Sequence, residues 1–127
     1  MQGRNLFEYA VIRYVPRPER EEFLNLGVVL YCASKRFLHI RYQLDETRLK
    51  AFYSEAPIDE IQQLLEAFEE VCCGKSRRSP IAQLDNASRF RWLTATRSTI
   101  IQTSKVHPGF CDDPAEELEA LFRQLVA

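Results

Sequence analysis

Residues 88–114 hold the densest chemistry in the sequence. Arg89, Arg91, Trp92, Thr94, Thr96, Arg97, Ser98 and Thr99 precede an apolar Ile100-Ile101 pair, and Lys105, His107 and Gly109 follow. Guanidinium forks beside hydroxyls suit an anion, with Arg97, Ser98 and Thr99 offering donors to a phosphate or carboxylate. If 91–97 is one strand, the even spacing of Arg91 and Arg97 puts them on one face and Trp92 on the other; a break at 94–96 cancels this. A solvated face is the plainer reading of these arginines, and core or interface packing the plainer reading of Trp92. His107 can trade a proton near neutral pH. Catalysis would also need a nucleophile or carboxylate beside it, and the sequence offers Ser104, Asp112 and Asp113. Turn formation ahead of Pro108-Gly109 is the simpler role for His107.

A second group lies early. Arg13 falls on the Phe7-Tyr9-Val11 face of an apolar strand, where a charge needs a partner: Glu22, a carbonyl or a ligand. Asn25 and Gly27 share a strand face by period two. Paired with Arg13, they would supply a planar fork, an amide and open backbone to one ligand. Equally, Gly27 relieves crowding and Asn25 caps a turn.

Metal and cofactor chemistry finds little support. Cys32, Cys72, Cys73 and Cys111 follow no disulfide or zinc spacing and read as reduced thiols. His107 and Cys111, four apart, make half a zinc site with no C-x-x-C to complete it. There is no P-loop, G-x-G-x-x-G, H-E-x-x-H or G-x-S-x-G, so no metal or cofactor is expected and the case for an enzyme is thin.

The elements that must position these groups follow from periodicity. Residues 6–15 alternate as a strand, 23–32 and 37–42 form a hairpin, and three consecutive antiparallel strands make the core sheet. Asp45 caps a short helix to residue 52. A longer helix over 57–73 repeats its apolar residues every three or four positions and stops at Gly74. On it only one of the adjacent Cys72 and Cys73 can face inward. Residues 75–80 form a loop, 90–93 a turn or short strand, and 98–105 a firmer strand. Asp113-Pro114 opens a last helix over 114–126. The expectation is an α+β single domain over residues 1–127, a mainly antiparallel sheet packed against two to three helices.

Two segments carry a resemblance: residues 9–30, with Arg13-Tyr14-Val15-Pro16, Glu22-Phe23, Asn25 and Gly27, and residues 89–109. Together they resemble the bacterial family catalogued as domain of unknown function 3037, over nearly the whole chain. The resemblance implies a small bacterial protein, with relatives often encoded beside a kinase-like protein of the Hip toxin type. The family brings no catalytic residues to carry over.

Seventeen basic against eighteen acidic residues give a net charge of -1, so no global field draws the chain to nucleic acid or anionic membrane. No apolar run approaches the roughly 18 residues of a membrane span, and the first residues do not read as a signal peptide, so a soluble cytoplasmic protein is expected. The preferred function is a non-enzymatic interaction module with a protein partner, for which the resemblance suggests a Hip-type kinase, and a local arginine-rich anion site. Nucleic-acid or nucleotide binding through Arg89, Arg91, Arg97 and Lys105, with Arg77 and Arg78, is the rival. A small hydrolase or transferase using His107 stands third. Homo-oligomerisation is left open.

Overall fold

The computed structural model describes residues 4–75, 79–97 and 99–127. Ten residues of alternating β-branched and aromatic character form β1 (Asn5–Tyr14), the central strand. On one side it pairs antiparallel with β2 (Leu24–Cys32), which pairs with β3 (Phe37–Tyr42). On its other side two short strands divide its length: β4 (Ile101–Thr103) pairs with residues 12–14, and β5 (His107–Cys111) with residues 5–9. The expected three-stranded core is the β1–β3 part of a five-stranded antiparallel sheet.

Helices cover both faces. Ala10, Ile12, Tyr14 and Val29 pack against α1 (Glu46–Phe52), α2 (Ile58–Cys73) and α3 (Asn86–Leu93) through Leu49, Ile61, Leu65, Phe68, Phe90 and Leu93. Phe7, Val28, Leu30 and Cys32 pack on the opposite side against α4 (Pro114–Leu125). Asp45, Asp85 and Asp113 each accept a backbone N–H at the start of α1, α3 and α4, so three orphan helix donors find a side-chain carboxylate. Gly74 closes α2 with a φ of 67°, a left-handed conformation that favours glycine.

Three late elements differ from expectation. Residues 86–93 form a helix where a turn or short strand was expected, because Asp85 caps them and Phe90 and Leu93 face the core. Strand β4 covers only Ile101–Thr103, and His107-Pro108-Gly109 opens a strand instead of making a turn. Proline is tolerated on that outer strand because its missing N–H removes no bond to β1 when it faces outward. Gly109 lies opposite Phe7, whose ring fills the space a Cβ would occupy.

Ser104 joins the two outer strands. Its N–H donates to Val11 O at 2.8 Å, and its buried hydroxyl accepts from Val11 N at 2.8 Å while donating to Lys105 O. The hydroxyl replaces the carbonyl that a continuous strand would present. Ser104→Ala is expected to cost about 1–3 kcal/mol, because Val11 N–H stays buried without an acceptor. Urea unfolding measures this, and a variant as stable as the parent would refute it.

Candidate functional site

Arg13 extends from β1 on the α4 face of the sheet, in a cross-strand row with Gln102 of β4 and Asn25 of β2. The row forms because β2 carries a bulge: Ile12 pairs with Gly27 but Arg13 pairs with Asn25, leaving Leu26 as the extra residue. The bulge also overturns the expectation that Asn25 and Gly27 share a face. Gly27 backs Ile12, on the side facing α1–α3.

The Arg13 guanidinium carbon stacks 3.8 Å from the centroid of the Phe23 ring. Its Nε is buried with no acceptor. Burial alone lowers the Arg13 pKa from its usual value, as expected for a desolvated cation without a close counter-charge. Glu22, the partner proposed from sequence, binds Arg20 at 2.7 Å instead. Arg13 lines a hollow of about 310 Å³ with Val15, Pro18, Glu21, Phe23 and Gln102, and Thr103 completes its wall. A cation held in place by an aromatic ring, with no ion pair among the described residues, is equipped to receive a carboxylate or phosphate.

The other expected site residues do not gather there. Asn25 Nδ2 donates to Leu125 O at 3.1 Å, anchoring the end of α4, while its Oδ1 is buried without a partner. Arg97 lies between the rings of Phe68 and Trp92 and donates to Leu93 O at 2.7 Å and Trp92 O at 2.5 Å. It clamps the end of α3, and burial lowers its pKa. Arg89 donates to Leu84 O and Asn86 Oδ1. Arg91 is exposed on α3, and the turn after that helix cancels the shared strand face expected for Arg91 and Arg97. The Thr99 hydroxyl donates to Ile101 O at 2.7 Å. Lys105 is exposed in the link between β4 and β5, and His107 stacks on Tyr9 with ring centroids 5.3 Å apart, beside the opposite half of β1 from Arg13. Ser98, Arg77 and Arg78 lie outside the described residues.

Phe23 and Glu21 are the site residues that sequence reasoning passed over. A larger hollow, about 740 Å³, opens on the α4 flank among Asp112, Asp113, Glu116 and Glu117 and includes none of the expected anion-binding residues. Among the described residues, no three His, Cys, Asp or Glu side chains gather where they could hold a metal ion, and no helix is long and apolar enough to cross a membrane.

The cysteines are free: Cys32, Cys72 and Cys111 are buried and Cys73 is exposed. Burial pushes the Cys72 thiol up to about 12 and, with neighbouring Cys32 adding to it, Cys111 up to about 11. One thiol per native chain is expected to react promptly with an aromatic disulfide reagent at pH 8, and the rest only after denaturation. Prompt native reaction of two or more would contradict this burial.

An antiparallel sheet with helices on both faces, with Arg13 beside a small hollow, defines an α+β fold. A family model described as protein of unknown function (DUF3037) matches residues 9–126, and the chain belongs to that family. No curated protein and no solved structure matches the chain.

Proposed function

We propose that the chain is a non-enzymatic interaction module that grips an anionic group of a protein partner through Arg13. The carrying observation is the Arg13 guanidinium itself: stacked on Phe23, partly desolvated, without an ion pair among the described residues, and facing a hollow. An arginine in that state binds a carboxylate or phosphate more readily than one already neutralised by its own fold. The nucleic-acid reading loses Arg89 and Arg97 to backbone carbonyls. The hydrolase reading loses Ser104, whose buried hydroxyl serves Val11 and Lys105.

The family resemblance makes a Hip-type kinase the partner to test. Arg13→Gln is expected to weaken binding to such a kinase from the same bacterium by about tenfold or more while the fold is kept. Calorimetry on the two purified proteins measures it. Equal affinity of parent and variant overturns the role of Arg13, and no binding by either removes the kinase as partner.

A further inference from the structure

We infer that the Arg13 hollow takes a small zwitterion, an unblocked aliphatic α-amino acid, with its carboxylate on Arg13 and its ammonium group on Glu21. The inference rests on the reading of Arg13 as an anion site and adds a second charge to it. Glu21 lines the same hollow. Its sequence neighbours neutralise one another, Arg17 with Glu19 and Arg20 with Glu22, and elsewhere Arg41 pairs with Glu119 and Lys50 with Glu46. Arg13 and Glu21 belong to none of these. They are opposite charges lining one hollow, with no ion pair closed between them.

The backbone holds Glu21 there at a cost. Residues Pro18–Arg20 form a single 3-10 turn, and Glu21 ends it with a φ of 57°, its N–H donating to Pro18 O at 3.1 Å. Glycine would adopt this left-handed conformation without strain, yet the position carries a carboxylate. Around the two charges, Val15, Pro18 and the Phe23 ring, itself 43% exposed, give apolar walls, and Gln102 and Thr103 add polar groups. A volume of about 310 Å³ is at the small end of ligand pockets and suits a ligand of amino-acid size. Glu21 repels a phosphate or a second carboxylate, so the pair of charges selects a zwitterion over a simple anion. A ligand seated there competes for Arg13 with the anionic group of a protein partner, which makes the hollow a point of control over the interaction.

The test is an NMR titration of the full chain, following the Arg13 side-chain Nε–H and the Glu21 and Gln102 amides. The probes are L-leucine, N-acetyl-L-leucine, L-leucinamide and inorganic phosphate. Leucine is expected to bind at least fivefold more tightly than each of the other three. Glu21→Gln should reduce leucine to the level of N-acetyl-leucine and leave N-acetyl-leucine binding as tight as before or tighter. Glu21→Gly, which also relieves the left-handed backbone, should lose the same preference while keeping a folded spectrum. If N-acetyl-leucine or phosphate binds the parent as tightly as leucine does, the zwitterion falls and the anion site stands. If no probe shifts these signals, both fall.

Discussion

Gly27→Ala is expected to lower the melting temperature by about 10 °C, and Gly27→Val to prevent folding. A Cβ at Gly27 would stand 2.6 Å from Tyr42 Cβ and 2.8 Å from Arg41 O. Neither is the loose end of a long side chain, so relief requires β3 to move away from β2. That movement would unseat Leu38, which packs into the core below it, and Tyr42, whose hydroxyl donates to Glu69 on α2 at 3.2 Å. Overpacking of this kind costs roughly 1–3 kcal/mol and sometimes more, and the backbone origin of the clash favours the upper end. For a chain of this size about 3 kcal/mol corresponds to that fall in melting temperature. Calorimetric melting of the alanine variant decides it, and a shift under about 3 °C would mean that the strands separate at little cost.

Arg97→Ala should be nearly as damaging, with a loss of about 2–3 kcal/mol in urea unfolding, because charged hydrogen bonds of this kind are worth roughly 1.5–3 kcal/mol and ring stacking adds to them. Its two terminal nitrogens satisfy carbonyls at the end of α3 while its plane is held between Phe68 and Trp92. Arg97→Lys should recover only part of the loss, since an ammonium lacks the planar fork that reaches two carbonyls from one stacked position. Response to the small anionic probes at Arg13 should survive in the lysine variant. A fully stable Arg97→Ala chain that no longer bound them would return the anion site to residues 91–99.

Local patterns carried much of the fold. The α2 stripe of Ile61, Leu65 and Phe68 and the aspartates ahead of α1 and α4 announce their helices, because burial and capping are read within a few residues. Helix α3 hid behind Arg89-Phe90-Arg91-Trp92, whose local period of two imitates a strand; the Asp85 cap was the countersignal. Strand β5 hid behind Pro108-Gly109, a turn signal whose meaning changes at a sheet edge facing an aromatic ring. Of the site, Arg13 was legible as a charge on an apolar strand face. Glu21 and Phe23 were not, because their approach depends on a left-handed residue and a bulge, and neither leaves a periodic trace. Arg97 misled because hydroxyl neighbours resemble an anion shell whether or not the guanidinium is already engaged.

The central strand also sets the timing of folding. Val11 must wait for Ser104, 93 positions later, before its second edge is closed. At ordinary synthesis rates that interval is roughly 5–20 s, during which a hairpin of β1 and β2 leaves the ribosome with one flank bare. Newly made chains should therefore be most vulnerable to mispairing, and most dependent on chaperones, in the stretch of translation between the first strand and the fourth.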